Sequence, residues 1–163
     1  MWRAGLTSLV LAAAACGGGG GGASGKGATT APASVDAFAA VFRAVEQWRQ
    51  GWEVRSMDAL APLYRHDDHT IVVYQGQPQI GWPQAETFLR RAVDGAREIH
   101  LTLDDGRVSA LGDDGATFSA RLTREVSDGA VTVSDAGYLT LTFARTGDAW
   151  QIVAEHYSYR TGS

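Results

Sequence analysis

The final part of the chain constrains the fold most, because four long segments there alternate apolar and polar residues. They cover about residues 98–111, 116–127, 130–145 and 149–159, and Gly or Asp-Gly turns separate them. Alternation with a period of two is typical of β-strands that bury one face, and such turns suit hairpins. The pattern predicts a curved antiparallel sheet with one apolar side. The turn-like "DDG" at 104–106 makes the first segment either one bent strand or two short ones.

One face of this sheet collects the apolar side chains, and the last strand, "AWQIVAEHYSYR", ends that face in a histidine. Trp150, Ile152 and Ala154 share the apolar side, and the next residue of the same parity is His156. The alternation places Glu155 and Tyr157 on the outer side. The apolar face is predicted to comprise Ile99, Leu101, Leu103, Phe118, Ala120, Leu122, Leu139, Leu141 and Phe143 as well. The outer face is predicted to carry Arg121, Thr123, Glu125, Tyr138, Thr140 and Thr142.

Hairpin registers predict small residues around His156. If the "TGDA" turn pairs Arg145 with Trp150, His156 lies opposite Leu139 and Ser158 opposite Gly137. If the "SDGA" turn pairs Glu125 with Thr132, Ala120 lies opposite Gly137 and Phe118 opposite Leu139. Small residues such as Ala120, Gly137 and Ser158 leave space beside the imidazole. Protein interiors are close-packed and rarely leave such space without a bound water or ligand. We therefore expect a cavity with His156 on its wall; the alternative is that a helix side chain fills the space and His156 is an ordinary core residue.

Two helices are predicted to precede the first strand. Ser34 is a suitable N-cap for residues 35–54, where apolar residues recur at helical spacing. Ser56 caps a shorter helix, which Pro62 bends or divides because proline lacks a backbone donor.

A short hairpin and a third helix follow. "TIVVYQ" at 70–75 predicts a strand, and "GQPQ" turns the chain towards Ile80. Pro83 opens the third helix and Gly95 ends it. Helices that cover one face of a mainly antiparallel sheet make an α+β domain.

The N-terminus predicts export. Residues 1–15 hold one cation, Arg3, and an apolar run of the length typical of a signal peptide. "LAAAAC" resembles a bacterial lipoprotein signal, in which Cys16 becomes the lipid-bearing terminus; Ala13 stands where Leu is usual, so ordinary secretion is the alternative. Residues 16–33 are rich in Gly and predict a flexible tether. The expected location is the cell envelope, anchored through Cys16, with residues 34–163 as one domain.

Composition excludes some classes of partner. The formal charge is −4, with no basic stripe of the kind that binds phosphate backbones, so no nucleic acid is expected. Cys16 is the single cysteine, so no intramolecular disulfide can form.

Three stretches together resemble a known family. "MDALAPLYRHDDHTIVVY", "GWPQAETFL" and "GDAWQIVAEHYS", the last with a W-x-I-V-x-x-H-x-S pattern, are similar to the SnoaL-like branch of the nuclear transport factor 2-like superfamily. The resemblance covers residues 35–160. It implies a cone of sheet wrapped by three N-terminal helices and open into an apolar pocket, with His156 inside. The family includes steroid isomerases, dehydratases and polyketide cyclases, and the catalytic carboxylate set of its isomerases does not align with this chain.

Several residues are candidates for chemistry. His156 is the expected general acid or base, with Tyr64, Tyr74 or a tryptophan as donor. Asp135 is expected to pair with Arg160 at the rim. "HDDH", at 66–69, has metal-ligating residue types, but neighbouring side chains in a turn diverge, so a solvated turn is preferred and neither metal nor cofactor is expected.

The first functional hypothesis is a module that binds a small apolar or aromatic molecule. The second is an isomerase, dehydratase or cyclase that uses His156, and the third is a protein-binding accessory domain. The outer face, half apolar, suggests a homodimer, with a monomer as the alternative. The pocket is predicted to be lined by Trp48, Trp52, Tyr64, Tyr74, Trp82, Ala120, Gly137, Leu139 and Ser158.

Overall fold

The computed structural model describes residues 35–160 of the 163-residue chain. Two helices, a two-strand hairpin, a third helix and four long strands follow one another along this part of the chain, so the predicted α+β class is confirmed. The helices are α1 (Val35–Glu53), α2 (Met57–Leu60) and α3 (Trp82–Gly95). The strands are β1 (Ile71–Tyr74), β2 (Gln77–Ile80), β3 (Glu98–Ala110), β4 (Gly115–Ser127), β5 (Thr132–Thr146) and β6 (Ala149–Arg160).

The starts of α2 and α3 follow the predicted signals, whereas Ser34, the predicted N-cap of α1, lies outside the described residues. The Ser56 hydroxyl accepts a hydrogen bond from the Ala59 amide, which fixes the start of α2. Pro62 divides this region as predicted, because α2 gives way to a 3-10 turn over Ala61–Leu63. Pro83 lies in the first turn of α3.

The strands within residues 35–160 form one curved sheet in the order β2-β1-β6-β5-β4-β3. β3 to β6 form the predicted curved antiparallel meander. β1 runs parallel to β6, so the sheet as a whole is mixed. This pairing makes β6 an interior strand between β1 and β5. The predicted bend in β3 is a register shift between Asp104 and Arg107 within one strand.

The core lies between the helices and the inner face of the sheet. The predicted inner residues of β4 and β5 are buried, including Phe118, Leu139 and Leu141. From the helices, Trp48 of α1 and Leu89 of α3 pack into the same cluster. No helix in the described residues is long and apolar enough to cross a bilayer.

Candidate functional site

A β-bulge in β6 decides which side chains face the interior. Thr142 pairs with Ala154 and Phe143 pairs with Ile152, so Val153 is an extra residue without a partner on β5. An extra residue reverses the alternation beyond it. Glu155 and Tyr157 are consequently buried, and His156 is exposed. The prediction that His156 lies on the pocket wall is wrong for this reason, and Glu155 takes the inward position.

A cavity of about 250 Å³ lies between the helices and this part of the sheet. Most of its wall is apolar or aromatic, and four of its lining residues, Tyr74, Arg124, Glu155 and Tyr157, bring charge or a hydroxyl group to it. The helical residues of the wall are Trp48, Trp52, Phe88 and Ala92. The sheet contributes Ile99, Leu101, Leu122, Val126 and Leu139 in addition to the four residues with a charge or hydroxyl group.

Glu155 is held by two donors from outside the sheet. Its side chain is 6% exposed, between Val72 on β1 and Leu141 on β5. The Tyr64 hydroxyl donates to Oε2 of Glu155, and the Trp48 indole N–H lies 3.1 Å from the same oxygen and 2.9 Å from the Tyr64 hydroxyl. No hydrogen bond within residues 35–160 reaches Oε1. Because Glu155 lines the cavity, Oε1 is the oxygen available to a ligand.

Burial raises the pKa of Glu155 from its usual 4.5 to about 7. Desolvation penalises the charged carboxylate, while the hydrogen bonds from Tyr64 and Trp48 act in the opposite direction and offset part of that penalty. The pKa of Tyr64 lies well above its usual value, first because Tyr64 is buried and second because Glu155 is close. Tyr64 therefore remains a hydrogen-bond donor while Glu155 exchanges a proton near neutral pH.

A second polar group, formed by Arg124, Asp135 and Tyr157, lies at another part of the wall. Nη2 of Arg124 lies 2.6 Å from one oxygen of Asp135, and the Tyr157 hydroxyl donates to the other at 2.5 Å. Asp135 is 7% exposed. The predicted partner of Asp135, Arg160, is wrong: the backbone partner of Arg160 is Ala136, and Arg124 supplies the cation. The bulge at Val153 moves Arg160 from opposite Asp135 to opposite Ala136. The β4–β5 register, in which Thr132 pairs with Ser127 rather than Glu125, brings Arg124 opposite Asp135.

Some of the predicted pocket residues line the cavity and others do not. Trp48, Trp52, Tyr74 and Leu139 are in its wall. Tyr64 is fully buried behind the wall and acts on it through Glu155. Trp82 stacks on His66, with 4.1 Å between ring centroids, and packs against Tyr64.

The remaining three predicted residues lie elsewhere. Ala120 is a core residue opposite Leu139. Gly137 and Ser158 border a separate open depression that also includes the exposed Tyr138. A Cβ atom on Gly137 would lie 1.9 Å from the Ser158 carbonyl oxygen, so this glycine allows β6 to approach β5 closely instead of leaving space.

The "HDDH" segment forms a structured turn. One oxygen of Asp67 accepts hydrogen bonds from the His69 amide at 2.9 Å and from the Thr70 hydroxyl at 3.3 Å. Nε2 of His66 lies 2.8 Å from the Ala61 carbonyl. Among the described residues there is no group of three or more His, Cys, Asp or Glu side chains arranged to hold a metal ion.

Comparison with protein families identifies the domain. Residues 35–161 match the model of the SnoaL-like domain, which spans the whole of the described structure. No curated protein sequence matches the chain significantly.

Solved structures with the same architecture have low sequence identity. A protein of Streptomyces avermitilis named as a dehydratase of the NTF2-like family superposes with a TM-score of 0.69 at 20% identity, over 76% of this chain and 96% of that one. A Salmonella enterica protein of the nuclear transport factor 2-like superfamily has a TM-score of 0.67 at 19% identity, over 75% and 91%. A Novosphingobium aromaticivorans protein named as an aromatic ring hydroxylase has a TM-score of 0.66 at 15% identity, over 77% and 90%. At these identities the likeness establishes the fold alone.

Proposed function

Because this chain belongs to the SnoaL-like domain family of the nuclear transport factor 2-like superfamily, we propose that it binds a small, mainly apolar or aromatic molecule in the cavity beside Glu155. One observation carries the proposal: a largely apolar cavity of about 250 Å³ with a single buried carboxyl group, whose free oxygen is available to a ligand. Binding sites for small molecules combine apolar walls with a few well-placed polar groups in this way.

Isothermal titration calorimetry with acetophenone tests this proposal. Ala92→Phe places a larger side chain on the cavity wall and is expected to weaken binding at least tenfold. Ala39→Phe, the same substitution at an exposed position of α1, is the matched control and is expected to bind like the wild type. Binding that all three proteins show equally, or no saturable binding by the wild type, contradicts the proposal.

A second candidate function is proton-transfer catalysis by Glu155. A carboxyl group with a pKa of about 7 can both accept and return a proton at neutral pH, and structural relatives include a protein named as a dehydratase. Glu155 replaces His156 in this role, because His156 is exposed on the other face. The chemistry is transfer of a proton from a carbon next to a carbonyl group to the Glu155 carboxylate, which leaves an enolate, and return of a proton from Glu155 to the same carbon.

Proton NMR in D₂O tests the catalytic candidate through the exchange of the acetophenone methyl hydrogens. Catalysed exchange that Glu155→Gln abolishes, while calorimetric binding is retained, supports catalysis. If exchange proceeds at the rate of the buffer, or equally in Glu155→Gln, the domain is a binding module only.

We also propose export and lipid anchoring through Cys16, which lies outside the described residues. The support is the sequence alone: the short apolar run and the "LAAAAC" junction. Mass spectrometry of the mature N-terminus is the test, with a lipid-modified Cys16 as the expected result. An unmodified terminus that lacks Cys16 contradicts anchoring and leaves ordinary secretion.

We propose further that two copies pair through the outer face of the sheet. Tyr138 on β5 is 60% exposed, a large aromatic side chain on a face otherwise rich in Thr and charged residues. Light scattering coupled to size exclusion is expected to give a dimer for the wild type and a monomer for Tyr138→Asp. A wild-type monomer at high protein concentration contradicts this proposal.

A further inference from the structure

Arg124 occupies a position where the sheet pattern calls for an apolar side chain. It follows Phe118, Ala120 and Leu122 on the inner face of β4, and these three are buried. The Arg124 side chain remains 22% exposed and lines the cavity. Its register partner on the neighbouring strand β5 is Asp135. Placing a cation at the wall of an apolar cavity costs desolvation free energy unless the cation is paired. The contacts of the Arg124 guanidinium group therefore indicate its role.

Two kinds of contact fix the orientation of the guanidinium group. Asp135 holds Nη2 at 2.6 Å and is itself held by the Tyr157 hydroxyl. The guanidinium carbon lies 4.8 Å from the ring centroid of Tyr74, 5.6 Å from that of Tyr157 and 5.7 Å from that of Tyr159. Cation–π contacts at these distances are attractive. The group is therefore held in place before any ligand arrives, which lowers the entropic cost of binding.

The guanidinium group nevertheless has donors left over. Arginine carries five N–H donors, and Asp135 engages only Nη2. Within residues 35–160 two buried side-chain nitrogens lack a hydrogen-bond partner, Nε of Arg124 and Nε1 of Trp52, and both residues belong to the cavity wall. Folded proteins rarely leave buried donors unpaired. Both nitrogens are shielded from solvent, so the donors open to a ligand oxygen are the Nη1 hydrogens of Arg124, which no hydrogen bond within residues 35–160 engages.

The charges around Arg124 favour an uncharged ligand oxygen over a carboxylate as its hydrogen-bond acceptor. Asp135, which is not itself a lining residue, already neutralises Arg124, and Glu155 is the acidic residue of the wall. A ligand carboxylate would bring a further negative charge into an apolar cavity beside Asp135, and its desolvation would oppose binding. A carbonyl or hydroxyl oxygen accepts the same hydrogen bond without that cost.

We propose that Arg124 determines specificity by donating a hydrogen bond to an uncharged oxygen, a carbonyl or a hydroxyl, on the molecule that the cavity binds. This inference rests on the proposed binding function and adds the chemical class of the ligand. Arg124 acts as a binding residue at one part of the wall, while Glu155 provides the second polar contact.

Calorimetry with three probes of similar size tests the inference: acetophenone with a carbonyl, cumene with no oxygen, and benzoate with a charge. Arg124→Met removes the donor and keeps much of the side-chain length, and Arg124→Met/Asp135→Asn avoids leaving a buried carboxylate unpaired. Arg121→Met is the matched control, because Arg121 lies on the outer face of the same strand with its ion pair to Asp105. Far-UV circular dichroism checks that each variant is folded.

The wild type is expected to bind benzoate more weakly than acetophenone. The ratio of the acetophenone affinity to the cumene affinity is expected to fall about tenfold in both Arg124 variants, the size of one charge-assisted hydrogen bond, and to stay unchanged in Arg121→Met. An unchanged ratio in both Arg124 variants, or benzoate binding tighter than acetophenone, overturns the role of Arg124 while the binding function stands. If none of the three probes binds the wild type, the binding function fails and this inference fails with it.

Discussion

Replacing Glu155 by Gln is expected to remove a pH dependence of stability that this one carboxyl group creates. Glutamine has the same size and keeps an acceptor oxygen for the donors Tyr64 and Trp48, but it cannot ionise. The substitution therefore tests the buried carboxyl while changing little of the packing around it.

The direction of the pH dependence of stability follows from the protonation of Glu155 in the folded and unfolded states. The pKa of Glu155 is about 7 in the folded protein and 4.5 as the usual value for an unfolded chain. Between these values the folded state holds a proton that the unfolded state has released, so the free energy of unfolding falls as the pH rises. The stabilisation is complete below about pH 4.5 and is lost as the pH passes through about 7. The pKa values differ by about 2.5, which at about 1.4 kcal/mol for each pKa unit gives about 3 kcal/mol.

Urea unfolding followed by tryptophan fluorescence measures this difference. The free energy of unfolding is determined for the wild type and Glu155→Gln at several values between about pH 4.5 and about pH 8. The wild type is expected to lose about 3 kcal/mol relative to Glu155→Gln across this range. Other carboxyl groups titrate in both proteins and cancel in the comparison.

The control is Glu125→Gln at an exposed position on the outer face of β4. Its free energy of unfolding is expected to stay within about 0.5 kcal/mol of the wild type, as is usual for substitutions of exposed side chains. A difference between wild type and Glu155→Gln that stays constant from about pH 4.5 to about pH 8 refutes the reasoning, since the Glu155 carboxyl would then titrate as an exposed group does.

Three further substitutions separate the remaining elements of the account. Tyr64→Phe removes a buried donor to Glu155 and is expected to lower the free energy of unfolding by about 1–3 kcal/mol and to raise the pKa of Glu155 further, which carbon-13 NMR of the carboxyl measures; an unchanged pKa contradicts the hydrogen bond. Gly137→Ala places a Cβ within 1.9 Å of the Ser158 carbonyl oxygen and is expected to lower the free energy of unfolding by about 3 kcal/mol or more. In the control Gly95→Ala the new Cβ has nothing within 4 Å, so the melting temperature is expected to stay unchanged or to rise. Equal melting temperatures for the two variants contradict the close approach of β6 to Gly137. His156→Ala is expected to leave acetophenone affinity within about twofold of the wild type, because the imidazole is on the outer face; a loss of tenfold or more in calorimetry contradicts that placement.

The sequence predicts the helices and the meander correctly because their signals are local. Ser56 and Pro62 act through nearby backbone groups, and strict alternation along β4 reports its buried face directly. The parallel pairing of β1 with β6 joins residues about eighty positions apart, such as Tyr74 and Tyr157, and no local pattern encodes it.

Alternation along β6 predicts His156 as the inward residue, but the inward residue is its neighbour Glu155. Parity carried forward from Trp150 through Ile152 places His156 inside, but the bulge at Val153 reverses it. A signal was present: Ile152, Val153 and Ala154 are consecutive apolar residues, so strict alternation stops there. The apolar run indicates that alternation alone does not determine which side chains beyond it face the core.

The second polar group was missed for a related reason. Arg124 and Asp135 face each other only if the β4–β5 hairpin closes with Ser127 opposite Thr132. The register predicted from the "SDGA" turn has Glu125 opposite Thr132, which shifts every β4–β5 pair by two residues from the observed register. A shift of two keeps each side chain on the correct face, which is why the buried residues were predicted correctly and the ion pair was not.

The central claim is that the cavity beside Glu155 holds a small apolar molecule, and indole N–H signals in proton–nitrogen NMR spectra test it most directly. Trp48 and Trp52 are in the cavity wall, whereas Trp150 lies near the β5–β6 turn. On titration with cumene, the signals of Trp48 and Trp52 are expected to shift and saturate while that of Trp150 stays in place. No shift at Trp48 and Trp52, or an equal shift at Trp150, contradicts the claim.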